Sequence, residues 1–196
     1  IIPKDKGNRT IFGDAGSATA LEYDNNASPM EFYIGTDSKD GGSLFMKNGG
    51  YRYPYTLETF KNELNRIDGH IADNEEMDGM SVFSFGISKV PKSIKKFCEY
   101  FQIDFNNVNK VLLHQANAFM LNKIVKKLKI DSAKVPTSLR NYGNTTSVSI
   151  PLTLVSQCNN EYSSQRMDTL GCGFGTGLAM ANFHFITKNI VCPDVI

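Results

Sequence analysis

The stretch KVLLHQANAF, Lys110 to Phe119, carries the clearest fold signal in the sequence. Three apolar residues, Val111 to Leu113, indicate a buried strand, and His114 follows them directly. In layered α/β proteins, sites collect where strands end and loops begin. His114 is therefore a candidate site residue, although a histidine after an apolar strand can also be a hydrogen-bonded residue of the core.

Strands and helices alternate along the chain around this stretch. The β-forming residues and turn signals nearer the N-terminus predict strands at Thr10–Phe12, Ala18–Tyr23 and Glu31–Asp37. After His114, the segment AFMLNKIVKKLKI has apolar residues at helical spacing and lysines on the opposite face, which predicts a helix. This order predicts an α/β fold in which helices flank a layered, mixed β-sheet.

Other segments also have recognisable patterns. Leu57–Ile67 has apolar residues at helical spacing. A strand-like stretch from Met80 is predicted to become helical at Pro91, because proline fits the first turn of a helix. Thr145–Leu154 is small and apolar, as expected of a buried helix. The sequence GCGFGTGLAMA, Gly171–Ala181, predicts a glycine-rich turn between two strands.

Composition excludes several classes of function. The chain has 196 residues, with 21 Lys and Arg against 20 Asp and Glu, and its formal charge of +1 argues against a general nucleic-acid binder. Its apolar runs are far shorter than the roughly 20 residues that span a bilayer, so no membrane association is expected. No repeat or internal linker is visible, and residues 1–196 are predicted to form a single domain.

The cysteines give no sign of a metal or redox centre. No two of them have CxxC spacing, which argues against a zinc site and against a thioredoxin-type disulfide. Reduced thiols in a cytoplasmic protein are the expected state. The cysteines are Cys98, Cys158, Cys172 and Cys192.

A second candidate, Asn144, lies at the mouth of the predicted buried helix. Asparagine there can simply be the helix N-cap. Imidazole and carboxamide can also each donate a hydrogen bond to a carbonyl oxygen, and two such donors stabilise negative charge that develops on it. We therefore predict that His114 and Asn144 converge over one cavity. The glycine-rich turn can direct a main-chain N–H at a negatively charged substrate oxygen, or it can be a bulged hairpin.

Three motifs, in this order, resemble the β-ketoacyl-acyl-carrier-protein synthase III family of thiolase-like condensing enzymes. They are HQAN from His114, YGNTTSVSIP from Tyr142, and GCGFGTGLAMA from Gly171. The earlier segment IFGDAGSATALE is similar to a strand pair of that family, and the resemblance extends from about Arg9 to Phe185. It identifies the chain as the C-terminal, thiolase-like half of a condensing enzyme.

The resemblance implies a mechanism. Family members use a Cys-His-Asn triad in which the cysteine takes an acyl group from acyl-CoA. A malonyl group on acyl-carrier protein then loses CO2, and the carbanion attacks the acyl-cysteine. His114 and Asn144 would hold the malonyl thioester oxygen, and the main-chain N–H of Cys172 would help form a second oxyanion hole. The substrates are acyl-CoA and phosphopantetheine-bound groups, and no other cofactor or metal is expected.

The resemblance also implies partners. The nucleophilic cysteine of the family lies in an N-terminal half that this sequence does not contain. We therefore expect the chain to need that half and to be inactive alone. The resemblance also implies a homodimer. Lys126 and Lys127 match a basic pair expected to dock acyl-carrier protein, although they can also be a solvated helix face. Phe119 stands where the family often has arginine, and Cys172 replaces the middle glycine of its Gly-Gly-Gly-Phe turn.

Two other functions remain open. A relative of the family can transfer acyl groups to oxygen or nitrogen, with His114 as the general base and Asn144 as the residue that orients it. The chain can alternatively be a non-catalytic partner, or a truncated half that binds acyl-CoA or pairs with a separate N-terminal half.

Overall fold

The computed structural model describes residues 6–45, 49–64 and 76–196. The helices are α1 (Lys6–Arg9), α2 (Leu57–Leu64), α3 (Gly79–Phe101), α4 (Ala118–Leu128), α5 (Leu139–Tyr142) and α6 (Ser149–Ser164). The strands are β1 (Glu31–Thr36), β2 (Leu44–Phe45), β3 (Glu76–Met77), β4 (Lys110–Leu113), β5 (Arg166–Gly175) and β6 (Ala179–Lys188). Short 3-10 turns lie at Ser38–Ser43, Ser132–Lys134 and Thr146–Val148.

The main sheet has four strands in the order β1-β6-β5-β4. Strand β4 is parallel to β5, whereas β6 is antiparallel to both β5 and β1. Apolar residues of α3 and α4 pack on one face of this sheet against Val111, Leu113 and Leu170. Helix α6 covers the other face, where the Tyr162 hydroxyl lies 2.6 Å from that of Thr169. The predicted α/β fold with a mixed sheet between helices is confirmed.

The strand predictions for residues 10–37 were partly wrong. Glu31–Asp37 is a strand apart from its last residue, as predicted. Thr10–Phe12 instead contributes only an isolated bridge between Phe12 and Asn144, and Ala18–Tyr23 is exposed chain with no strand. High β-propensity does not make a strand without a partner to complete its hydrogen bonds, which is why these two predictions failed.

Helix α3 also differs from the prediction, because it runs unbroken from Gly79 to Phe101 with Pro91 inside it. The Asp78 side chain accepts hydrogen bonds from the first-turn N–H groups, which starts the helix well before the proline. Proline lacks the N–H that would bond the carbonyl of Ile87 four residues earlier. Lys127 of α4 supplies the missing donor, with its Nζ 3.0 Å from that carbonyl oxygen.

The other predicted helices are borne out in type but shifted in extent. Helix α2 ends at Leu64 among the described residues, and the predicted end at Ile67 lies outside them. The buried helix predicted at Thr145–Leu154 begins at Ser149, because Thr146–Val148 forms a 3-10 turn first. Among the described residues, none of the helices is long and apolar enough to cross a membrane.

The glycine-rich segment is mainly strand rather than turn. Residues 171–175 belong to β5, and the reversal into β6 occupies only residues 176–178. The ring of Phe183 on β6 covers Gly171, and a Cβ at that position would collide with it. The glycine is therefore explained by close packing between neighbouring strands as well as by turn geometry.

Candidate active site

A cavity of about 940 Å³ has both His114 and Asn144 in its lining. The two residues reach it from different elements, His114 from the end of β4 and Asn144 from the loop before α6. Most of the remaining lining is apolar or aromatic, including Phe12, Phe83, Met120 and Phe174. The structure thus brings together the two side chains that the sequence pairs, in a setting that excludes water from part of their surface.

His114 is held at the end of β4 by contacts on three sides. Its backbone N–H donates to the carbonyl of Cys172 at 2.9 Å, which continues the pairing of β4 with β5. Its ring meets that of Phe174 edge-on, with centroids 5.2 Å apart. The Nδ1 atom lies 2.7 Å from the Oγ of Ser149. The ring orientation is therefore fixed before any substrate binds.

Burial lowers the pKa of His114 from 6.5 to about 4, and a backbone hydrogen bond with Thr146 opposes this shift only in part. The cause is desolvation, which disfavours the charged imidazolium. At neutral pH the ring is therefore a neutral imidazole with one N–H donor and one bare nitrogen.

Asn144 is almost fully buried and is not the N-cap of α6, which starts later at Ser149. Its main chain is pinned by two 2.9 Å hydrogen bonds, to the carbonyl of Ile11 and from the N–H of Gly13. Its Oδ1 accepts from the N–H of Thr146 at 2.9 Å. Because the amide oxygen is occupied, the NH2 group is the end that remains to bind a substrate oxygen.

The turn after Asn144 is strained. Thr146 has a φ of 52°, in the left-handed region that β-branched residues rarely adopt. Such a conformation costs about 1–3 kcal/mol and tends to persist where the surrounding structure imposes it. Here the N–H of Thr146 holds the side chain of Asn144, so the strained residue directly orients a candidate site residue.

Two residues of the HQAN motif have structural roles that the sequence analysis did not assign. Gln115 is completely buried, its Nε2 donates to the carbonyl of Leu113, and its Oε1 accepts from Thr137 and Ser138. Asn117 caps α4 by accepting from the N–H of Met120 at 2.8 Å. An asparagine just before an apolar periodic run is an N-cap signal, so the second role was readable from the sequence.

None of the four thiols has the properties of a nucleophile. Burial raises the pKa of Cys98 to about 12 and that of Cys158 to about 11, and it also raises the pKa of Cys172 and of Cys192. A thiol reacts as the thiolate, which these environments disfavour.

Cys172 is not itself in the cavity lining, although its neighbours Gly173 and Phe174 are. It lies within β5, paired with Leu113 on one side and Asn182 on the other, and its carbonyl accepts from the backbone of His114. The structure therefore places its main chain beside the histidine. The oxyanion role of its N–H stays a prediction.

The basic pair lies where the sequence predicts it. Lys126 and Lys127 are both exposed in the last turn of α4, and Lys127 is also bonded to α3 through the carbonyl of Ile87. At the start of α4, Phe119 stacks on Phe83 with ring centroids 5.4 Å apart. Both of these rings line the cavity, so an aromatic pair occupies the position where arginine was expected.

The depressed pKa of His114 predicts a pH-dependent contribution to stability. In the unfolded chain the imidazole takes up a proton near pH 6.5, whereas in the folded chain it does so near pH 4. The unfolded state therefore binds more protons between these values, and the folded state loses up to about 3 kcal/mol as the pH falls through them. Denaturant unfolding of the wild type and of His114→Gln, each measured from pH 7 to pH 4, checks this. The wild type should lose more stability, and equal losses would contradict a buried neutral imidazole.

Comparison with known proteins connects this chain to one family. Residues 98–185 match the family described as 3-Oxoacyl-[acyl-carrier-protein (ACP)] synthase III C terminal. The chain is 33% identical to Beta-ketoacyl-[acyl-carrier-protein] synthase III of Streptococcus gordonii over 182 residues, which cover 89% of this chain and 51% of that protein. It is 28% identical to the protein of the same name from Clostridium tetani, over 91% of this chain and 53% of the relative.

Solved structures agree with the sequence comparison. The crystal structure of 3-oxoacyl-(acyl-carrier protein) synthase from Burkholderia xenovorans superposes with a TM-score of 0.87 at 30% identity, covering 100% of this chain and 55% of that one. A 2.1 Å structure of a 3-oxoacyl-(acyl-carrier-protein) synthase III gives a TM-score of 0.76 at 28% identity. The chain thus spans about half the length of the relatives that it matches.

Proposed function

Because this chain belongs to the β-ketoacyl-[acyl-carrier-protein] synthase III family and matches its C-terminal half, we propose that it supplies half of the active site of a decarboxylative condensing enzyme. The reaction joins the acyl group of an acyl-CoA to malonyl-acyl-carrier protein, forms a 3-oxoacyl thioester on the carrier, and releases CoA and CO2. It needs no cofactor or metal beyond these substrates. The proposed assembly is a cytoplasmic homodimer.

The observation that carries this proposal is the meeting of His114 and Asn144 in one largely apolar cavity. When the malonyl group loses CO2, the electron pair of the broken carbon–carbon bond passes to the thioester as an enolate. Negative charge then develops on the thioester oxygen. A neutral imidazole N–H and a carboxamide NH2 that both donate to this oxygen stabilise the charge, and the effect is strongest where water is excluded.

The same proposal requires a thiolate from elsewhere. The four cysteines of this chain all have raised pKa values, so none is suited to carry the acyl group. We therefore assign the nucleophile to an N-terminal half of the same fold that packs against this one. The main-chain N–H of Cys172 is assigned to the oxyanion hole beside that nucleophile.

Acyl-carrier protein is the proposed partner at the exposed end of α4. Lys126 and Lys127 present two positive charges there, which suit an acidic carrier surface and the phosphate of its phosphopantetheine arm. The aromatic pair Phe83 and Phe119 at the cavity would contact an uncharged part of the arm instead of its phosphate.

The test is the release of labelled CO2 from malonyl-acyl-carrier protein in the presence of acyl-CoA. The chain combined with the N-terminal half of the fold is expected to release CO2 and to form the 3-oxoacyl product, whereas the chain alone is expected to form none. If the combined halves transfer the acyl group to a hydroxyl or amine acceptor without releasing CO2, the decarboxylative assignment is wrong.

The raised pKa values of all four thiols also favour a second candidate, a non-catalytic partner that binds acyl-CoA. Acyl-CoA binding by the combined halves, without acyl transfer or CO2 release, would support this candidate in place of the enzyme.

A further inference from the structure

Ser149, the first residue of α6, lines the same cavity as His114 and contacts its ring. Its Oγ lies 2.7 Å from Nδ1 of His114 and 3.3 Å from the backbone nitrogen of Gln115. The residue is only 1% exposed, so water does not reach its hydroxyl. Each hydrogen-bonding atom of this serine must therefore be satisfied within the protein.

The donor and acceptor balance at this hydroxyl decides which ring nitrogen carries the proton. The backbone N–H of Gln115 can only donate, so it occupies a lone pair of the serine oxygen. Among the described residues, the remaining contact of that oxygen is Nδ1 of His114. If Nδ1 carried the hydrogen, two N–H groups would point at one oxygen and the buried serine hydrogen would have no acceptor. Every group is satisfied if the serine donates to a bare Nδ1.

A buried network holds Ser149 in this position. Thr153, one turn further along α6, donates from its hydroxyl to the carbonyl of Ser149 at 2.7 Å. That donation uses the only hydroxyl hydrogen of Thr153, so Ser138 must donate across the 2.8 Å contact between the two hydroxyls. The backbone N–H of Ser138 in turn bonds Oε1 of Gln115. The chain of contacts returns to the residue next to His114 and closes a ring.

We propose that Ser149 is a positioning residue that holds His114 as the Nε2–H tautomer. The nitrogen that is not bound to the serine then carries the ring hydrogen, which can donate to the Thr146 backbone or to a substrate oxygen, and it offers no lone pair. Such a histidine can stabilise an enolate oxygen, but it cannot accept a proton from a hydroxyl or amine acceptor. Within the proposed function, on which this consequence rests, the tautomer therefore selects decarboxylative condensation over acyl transfer with a histidine base.

The tautomer can be measured without any activity. The chain has three histidines, so ¹⁵N NMR of the labelled chain gives few ring-nitrogen signals, and those that disappear in His114→Gln belong to His114. The wild type is expected to show a protonated Nε2 and a bare Nδ1. In Ser149→Ala the Nδ1–H tautomer should become detectable, whereas Ser149→Thr, which keeps a hydroxyl, should retain the wild-type pattern. Ser164→Ala, at the exposed far end of the same helix, is the matched control and should change nothing.

A protonated Nδ1 in the wild type would overturn the inference, and so would an unchanged tautomer in folded Ser149→Ala. The wild-type measurement decides the tautomer even if the alanine variant does not fold. In the combined halves, Ser149→Ala should lower the kcat for CO2 release about tenfold, equivalent to roughly 1.4 kcal/mol, with little change in KM. Restoration by Ser149→Thr is expected, and an unchanged kcat would remove the kinetic role of Ser149. If CO2 release survives His114→Ala, the proposed function fails while the NMR result stands independently.

Discussion

His114→Ala is expected to lower CO2 release from malonyl-acyl-carrier protein about 100- to 1000-fold, which is typical for loss of one oxyanion donor. The imidazole is held in the cavity by its contacts with Ser149 and Phe174. Acylation of the nucleophilic cysteine uses a different oxyanion hole in the proposed mechanism. Transfer of labelled acyl-CoA to the protein should therefore remain within a few-fold of the wild-type rate.

Replacement of His114 by glutamine tests whether the residue acts as a hydrogen-bond donor or as a general base. A glutamine amide can still donate a hydrogen bond, but it cannot take up a proton at neutral pH. If His114 acts as a donor, His114→Gln should keep more CO2 release than His114→Ala. His184→Gln is the matched control, because His184 lies on the sheet between Glu31 and Asp168 and is not among the residues of the cavity lining. Equal loss in both His114 variants would argue against the donor role, and unaltered release in His114→Ala would contradict the assignment.

Loss of the Asn144 amide is expected to reduce CO2 release about 100-fold, again by removing a donor to the developing oxyanion. Alanine at this position also removes the acceptor for the N–H of Thr146, so a loss of activity alone would be ambiguous. Asn144→Asp resolves this, because its carboxylate can still accept from Thr146 while the NH2 donor is gone. The aspartate also places negative charge beside the oxyanion, so it should lose at least as much activity as the alanine.

Thermal unfolding of the two Asn144 variants completes this test. The aspartate variant keeps the contact with the strained residue Thr146, whereas desolvation of its carboxylate opposes that gain, so unfolding has to show that both variants are folded under the assay conditions. A stable Asn144→Asp protein that still released CO2 at the wild-type rate would show that the carboxamide does not bind the thioester oxygen.

The local signals in the sequence were sufficient for much of the fold and for the main pair of the site. The apolar run that ends at His114 forms a strand as predicted, and the amphipathic run after it forms α4. These elements follow directly from hydrophobic periodicity and from the N-cap signal at Asn117. Both candidate residues, His114 and Asn144, line the same cavity as expected.

The features that the sequence did not predict depend on contacts between distant segments. Ser149 is 35 residues from His114 in the chain, and nothing in its local sequence points to an imidazole. Pro91 sits inside α3 because a lysine from another helix replaces the missing donor. The exposed segment Ala18–Tyr23 has strand propensity but no strand partner in the described structure. In each case a contact with a distant segment, or the lack of one, decides the structure, and the local sequence does not.

The hydrogen bond between Lys127 and Ile87 would complicate mutagenesis of the surface of α4 that is proposed to dock acyl-carrier protein. Neutralising Lys127 would remove a charge from that surface and, at the same time, leave a helix carbonyl without its donor next to a proline. The side chain of its exposed neighbour Lys126 has no such structural hydrogen bond among the described contacts. Substitution of Lys126 would therefore report on electrostatic docking alone. Lys127→Arg, which keeps both the charge and a donor, would be the informative companion at the second position.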